Sequence, residues 1–264
     1  MAPMFTALTI AGSDPSGGAG IQGDLKTFHA HGVYGMAVIT ALTAQNTVGV
    51  KGVHDVPADF VTAQLDAVLD DMPVGAAKTG MLSVPATIEA IAGVLRRRRV
   101  PFLVVDPVMV AASGDALLRD DAIDVIVELL FPLATLVTPN IPEAERLADM
   151  KIERPEQMRR AALALRDMGA RAVLLKGGHL PGNQVVDVLL SDGVFHEFSE
   201  PRIDTPHTHG TGCAIAAGIA AQLARGANLA EAVGRARDLV RRGIERAVVL
   251  GHGANPINHL AAGG

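Results

Sequence analysis

Tryptophan is missing from the 264-residue chain, tyrosine and cysteine occur once each, and seven phenylalanines complete the aromatic set. So few rings cannot line a base-stacking platform for single-stranded nucleic acid. An excess of positive charge is missing too. Lys and Arg total 23 against 28 Asp and Glu, a formal net charge of −5, so the general attraction to phosphate backbones is lacking. The lone cysteine, Cys213, excludes an intrachain disulfide and suits a reducing compartment. Long apolar runs are absent: the most continuous, 214–224, is too short to span a bilayer and contains Gln222. The first cationic side chain is Lys26, so the apolar start Leu8-Thr9-Ile10-Ala11 has no basic segment before it. The expectation is a cytoplasmic protein with neither a membrane nor a nucleic-acid partner. An apolar content of 49% with only 19% charged residues excludes intrinsic disorder.

What is present alternates. Short apolar, partly β-branched runs at Ala7–Ala11, Ala37–Ala41, Val74–Ala77, Phe102–Val105, Leu136–Thr138 and Ala172–Leu175 predict buried parallel strands. Helical stripes lie between several of them. Val61, Leu65, Val68 and Met72 form one, after Pro57; Ile88, Ile91, Ala92 and Leu95 form another, after Pro85; Ile123, Ile126, Val127 and Leu130 form a third. Val185–Leu190 and Val194–Phe198 flank Ser191-Asp192-Gly193 and predict an antiparallel hairpin. Two helices close the chain, one over about 211–225 and one carrying Val233, Val240, Ile244 and Val248. With no repeat or long linker, residues 1–264 predict one α/β domain, a mostly parallel central sheet with helices on both faces. Polar and glycine-rich clusters follow the strands, and in such a sheet the carboxyl ends of the strands form the ligand edge.

The first cluster, Gly12 to Gly20, is not a P-loop, because Gly18-Ala19 stands where Lys-Ser/Thr belongs. Gly18-Ala19-Gly20-Ile21-Gln22-Gly23 matches a dinucleotide pattern, but no acidic residue lies between Asp24 and Asp55 to hold a ribose. It reads as a long turn or as close backbone approach to a small ligand. The second cluster, His209-Gly210-Thr211-Gly212-Cys213, opens a small-residue helix whose free N–H groups suit an anion. Cys213 would sit in the first turn, where the helix field favours thiolate; the plainer alternative is a buried structural cysteine. His207 and His209 with Cys213 have only a weak zinc-like spacing. Asp106, Asn140 and Glu143 carry the oxygen donors that Mg²⁺ needs, and Asn140 with Glu143 also reads as a helix cap. Lys176, before two glycines, suits a nucleotide's phosphates or plain solvation. Ser13, Ser16 and Ser113 offer no nucleophile elbow.

These segments, with Thr40–Thr47, Lys78-Thr79-Gly80-Met81, Asp106–Met109, Thr138-Pro139-Asn140, Lys176–His179 and the closing Gly251-His252-Gly253, resemble hydroxymethylpyrimidine/phosphomethylpyrimidine kinase of thiamine biosynthesis. The resemblance implies the ribokinase-like fold, a three-layer sandwich. It also implies ATP and Mg²⁺ as cofactors, a homodimer, and two successive phosphorylations of 4-amino-5-hydroxymethyl-2-methylpyrimidine. By the same resemblance Gln45, Gly12, Asp24, Met81 and Val108 serve the pyrimidine. Asp106, Asn140, Lys176 and Thr208 serve the nucleotide, and Asp106 with Glu143 the metal. Gly210, Thr211 and Gly212 form the anion hole, and Cys213 replaces the aspartate base of many relatives. Gly23, His207, Ala214 and Ala216 depart from the family's usual residues. Pyridoxal or pyridoxine kinase, or a dual-specificity enzyme, is the rival activity, and a non-catalytic pyrimidine sensor the rival class.

Overall fold

The structure, a computed structural model, describes residues 4–110, 117 and 120–262; Ser113, considered above, lies outside them. Among the described residues the chain forms β1 (Thr6–Ser13), α1 (Gly20–Ala30), β2 (Tyr34–Asn46), β3 (Gly49–Asp55), α2 (Ala58–Asp71) and β4 (Ala76–Thr79). There follow α3 (Pro85–Arg97), β5 (Leu103–Val105), α4 (Asp120–Leu129), β6 (Leu136–Val137), α5 (Ile141–Ala148) and α6 (Pro155–Asp167). The remainder is β7 (Val173–Leu175), β8 (Gln184–Ser191), β9 (Val194–Pro201), α7 (Thr211–Ala224), α8 (Leu229–Glu245) and α9 (His259–Ala262).

One sheet runs in the order β3-β2-β1-β4-β5-β6-β7-β8-β9. The six strands from β2 to β7 are parallel, with β3 antiparallel on one edge and β8 and β9 on the other. All six strands expected from the apolar runs are present in this parallel core. Side chains alternate between two cores, as a strand's period of two requires. Leu8, Ile10, Ala77, Leu103, Val105, Val173 and Leu175 face one side with α2 to α6. Ala7, Ala76, Val104, Leu136 and Leu174 face the other with α1, α7 and α8. The outcome is three layers.

The chain leaves β1 for β2 on one side and later returns to place β4 on the other. That reversal opens a crevice at the carboxyl ends of β1 and β4, where ligands bind in open α/β sheets.

Several expectations need correction. β2 is longer than Ala37–Ala41, and its partner β3 was not expected, because most of β3 is exposed and carries no apolar signature. The first glycine cluster is not merely a turn: its last residues begin α1. α8 ends at Glu245, and Val248 lies beyond it, 52% exposed. The hairpin is present, with positive φ at Asp192 and Gly193 as its turn demands. It continues the main sheet through β7.

α2 buries completely only Val61 and Leu65. Leu65→Ala should cost about 2–5 kcal/mol, the usual range for emptying a core leucine site. A lowered urea midpoint with an unchanged slope is the expected result.

Candidate active site

A cleft of about 890 Å³ opens at the carboxyl edge of the sheet. It is large enough for a small ring and a nucleotide together. Its walls include Gly12, Gln45, Met81 and Val108 and also Asp106, Asn140, Glu143, Lys176, Thr208 and Gly210–Cys213. Of the expected site residues only Asp24 is missing from its wall. It is fully buried behind the cleft, accepting hydrogen bonds from Thr9 Oγ1 at 2.6 Å and Lys78 Nζ at 2.8 Å. The cleft therefore meets Lys78, and Asp24 acts through it. Burial opposes the Lys78 ammonium, yet the charge of Asp24 holds its pKa above the ordinary lysine value.

The loop after β1 is organised by Asp14. Its carboxylate accepts from Ser16 N and Oγ at 2.9 and 2.7 Å, and from Gly18 N and Ala19 N at 3.2 and 2.9 Å. His209 Nε2 reaches the same carboxylate at 3.0 Å from the other side of the sequence. Burial pushes the Asp14 pKa up, but the bonds from His209, Ser16 and Ala19 prevail and hold it at about 2. This use of His209 also turns it away from the zinc reading, and among the described residues no group of three metal-type side chains forms.

Gly210, the residue before α7, has φ +83°, and a Cβ there would meet Gly18 O at 1.9 Å. Only glycine lets the two loops touch backbone to backbone. The N-terminus of α7 then presents Thr211 to Cys213 to the cleft.

On the opposite wall Asp106 Oδ1 accepts from Lys176 Nζ at 2.7 Å and from Thr138 Oγ1 at 3.0 Å. Asn140 and Glu143 form the expected cap of α5, each side chain bonded to the other's amide. Burial pushes Glu143 up to about 7; Lys176 opposes this and the charge of Asp106 adds to it. With one lysine between two buried carboxylates, Glu143 is not fully ionised near neutrality, and a cation beside it would favour its ionised form. A divalent cation with oxygen ligands fits that donor set.

Cys213 corrects the thiolate expectation. It does sit in the first turn of α7, but burial pushes its thiol up to about 11. Lys78 and the Gly20 amide work against this, while Asp24 and Asp106 reinforce it. The helix field is outweighed by burial in an acidic setting.

Sequence reasoning passed over Lys78 as a site residue. A lysine inside the buried run Ala76-Ala77-Lys78-Thr79 was the available signal. It also passed over Asp187, Arg202 and Arg237, which line the cleft, and only Asp187 carried a comparable hint from its apolar strand.

A sequence model of the family described as phosphomethylpyrimidine kinase matches residues 14–258. The chain belongs to this family. Among relatives, the thiamine biosynthesis bifunctional protein ThiED of Geobacter sulfurreducens is 54% identical over 98% of this chain and 53% of its own length. The chain thus spans about half of that longer protein. The hydroxymethylpyrimidine/phosphomethylpyrimidine kinase of Rhizobium meliloti is 51% identical, with 96% of each chain covered. Among solved structures, an ADP complex of Bacillus subtilis pyridoxal kinase superposes with a TM-score of 0.90 at 37% identity, covering 98% of both chains. Pyridoxal kinase from Staphylococcus aureus, in complex with AMP-PCP and pyridoxal, gives 0.91 at 33%, covering 98% of this chain and 95% of that one. The fold is that of the ribokinase-like kinases. No helix among the described residues is long and apolar enough to cross a membrane.

The phosphomethylpyrimidine kinase site can be probed through its single thiol. Iodoacetamide should modify Cys213 at pH 8 about a hundredfold more slowly than an unperturbed thiol, because thiolate is the reacting form. The rate should keep rising up to about pH 11. A plateau near pH 7 would restore the thiolate reading.

Proposed function

We propose that this chain is an ATP-dependent kinase of thiamine biosynthesis acting on 4-amino-5-hydroxymethyl-2-methylpyrimidine. It transfers one phosphoryl group to the hydroxymethyl oxygen and a second to the resulting monophosphate. The observation that carries this reading is one cleft holding two unlike groups of side chains. Gln45 lines it together with Met81, which lies against Gly12, and Lys176 lines it beside Gly212 of the Gly210–Cys213 turn.

Gln45 can give and accept hydrogen bonds at an aminopyrimidine edge. Met81 is 8% exposed, and with Val108 it offers the ring an apolar wall beside Gly12. Amides of the anion loop and the Lys176 ammonium neutralise charge on the phosphoryl group in flight, the main task in such transfers. Asp106 and Glu143 would hold Mg²⁺, with Asn140 and Thr208 on the nucleotide side. The ion, when bound, supplies further neutralisation between the phosphates.

Cys213 serves the first step. An alcohol must lose its proton; burial with the Asp24 and Asp106 charges keeps the Cys213 thiol mostly un-ionised at neutral pH, and the base is the small ionised fraction that the Lys78 charge and the Gly20 amide sustain. A phosphate monoester, with its second pKa of about 6, is already ionised at neutrality. Residues 1–264 act as one kinase unit, working in the cytoplasm as a homodimer. Exposed Leu42, Val48 and Val53 on the β2–β3 projection suit a contact between copies. The resemblance to pyridoxal kinases keeps pyridoxal as a second substrate to try, since it too carries a hydroxymethyl group on a six-membered heteroaromatic ring.

Purified protein with ATP, Mg²⁺ and the hydroxymethylpyrimidine should yield monophosphate and then diphosphate over time. A parallel pyridoxal reaction should run far more slowly. Turnover of pyridoxal alone would overturn the substrate assignment, and tight pyrimidine binding without ADP release would make the chain a sensor. In separate single-step assays Cys213→Ala should slow the first transfer by about a hundredfold or more, within the usual range for a lost general base. The second should fall less than about tenfold. Equal losses would remove the base role.

A further inference from the structure

The loop that follows β7 carries Lys176 into the cleft, and the β8–β9 hairpin grips it at several points. Gly177 N donates to Asp187 Oδ1 at 2.7 Å, and a Cβ on Gly177 would meet Val186 O at 1.9 Å, so β8 lies directly against the loop. At the end of β9 the Arg202 guanidinium closes over the rest. Its Nε donates to Gly182 O at 2.8 Å, one terminal nitrogen to Gly178 O at 2.9 Å, and the other to Leu180 O. The Arg202 amide adds a bond to Asn183 O at 2.8 Å. All three guanidinium nitrogens are therefore engaged by loop carbonyls. Asp187 is buried and paired with Arg237 of α8, which also faces Glu200 of β9 at 3.7 Å. The grip is thus anchored in the layer behind the sheet. Gly178, Arg202 and Arg237 all line the cleft.

We propose that Arg202 is a positioning residue for the nucleotide. It fixes the path of residues 178–182, and so the place where Lys176 and the loop backbone meet the phosphate-bearing substrate, without itself touching the reacting atoms. The inference rests on the kinase reading. A planar fork reaching three separate carbonyls cannot be copied by a single ammonium. Removing it frees a glycine-containing loop that must then be ordered on binding, a cost that falls on nucleotide affinity and spares pyrimidine affinity.

The test uses the full chain and ADP with Mg²⁺ as the probe, followed by calorimetry and steady-state kinetics, with hydrogen exchange reporting on residues 178–183. Arg202→Ala should weaken ADP binding and raise the KM for ATP by about tenfold or more, the scale of lost charge-assisted bonds. The KM for the hydroxymethylpyrimidine should stay within about twofold. The amides of residues 178–183 should exchange faster, and Arg202→Lys should recover less than half of the lost affinity on a logarithmic scale. Arg202→Lys also serves if the alanine variant does not fold, since it keeps the charge and most of the side chain; on its own it should still raise the KM for ATP selectively. Unchanged ADP affinity in Arg202→Ala, full recovery in Arg202→Lys, or an equal rise in both KM values would each overturn the proposal. Wild-type protein that binds no ADP would overturn the kinase reading itself, and this inference with it. Wild-type binding with an indifferent Arg202→Ala variant overturns this inference alone.

Discussion

Two ammonium groups must remain charged in an interior with almost no water, and the cleft is arranged around that demand. Lys78 leaves β4 with no exposed surface, and Lys176 follows β7 with little. Taking such ions out of water costs several kcal/mol each unless a partner with good geometry waits for them. The partners arrive from other layers of the fold. α1 delivers Asp24 to Lys78, and the end of β5 delivers Asp106 to Lys176. Thr9 and Thr138 donate hydroxyls to the same two carboxylates. Neither pair needs to add net stability. An unpaired member, however, would destabilise the fold by about 3–5 kcal/mol, so the register of α1 and β5 against the sheet is tied to the chemistry of the site.

The loops at the carboxyl edge are similarly interlocked. Asp14 holds its own turn and also meets His209, while Gly210 lies against Gly18. The C-terminal segment completes the circuit. Ala254 N donates to Thr47 O at 2.8 Å, two residues beyond Gln45, and His209 N donates to Asn255 O at 3.2 Å. Asn255 is itself held by the amides of Leu250 and Gly251. The segment after Gln45 and the loop before α7 are therefore joined by backbone bonds through the C-terminal segment. Such bracing suits a transfer whose rate depends on holding donor and acceptor in line.

What the sequence disclosed follows from where each signal originates. The six strands of the parallel core, β1, β2 and β4 to β7, were legible because burial on both sides of the sheet leaves apolar runs. The site motifs were legible because they cluster at strand ends, as Gly12, Asp106, Asn140 and Lys176 do. β3 left no mark because most of its side chains are exposed. α1 was hidden because it starts in glycines, whose place is dictated by contact with distant backbone. The thiolate expectation for Cys213 failed for a related reason. A helix terminus can be read locally, but the burial and the Asp24 and Asp106 charges that oppose it come from remote parts of the chain. The grip of Arg202 on three carbonyls leaves no spacing at all to read.

The likeness to both pyrimidine and pyridoxal kinases has a physical basis in how the cleft divides its work. In the proposed function Lys176, Asp106, Glu143 and the Gly210–Cys213 turn deal with charge, and a phosphoryl group presents the same charge whichever ring accepts it. On the same proposal, ring choice falls to a short list of other lining side chains, with Gln45, Met81 and Val108 foremost. Apolar contacts such as those of Met81 and Val108 discriminate weakly between rings of similar size, whereas a polar group left unpaired by the wrong ring discriminates strongly. In the proposed function, selectivity would therefore concentrate at Gln45. Its amide, whose oxygen already accepts from Thr43 Oγ1 at 3.2 Å, would be satisfied by an aminopyrimidine edge and less well by a ring lacking that donor–acceptor pattern. One phosphate machinery can thus serve different vitamins, with few changes to the side chains that meet the ring and none to the buried ion pairs that hold the cleft together.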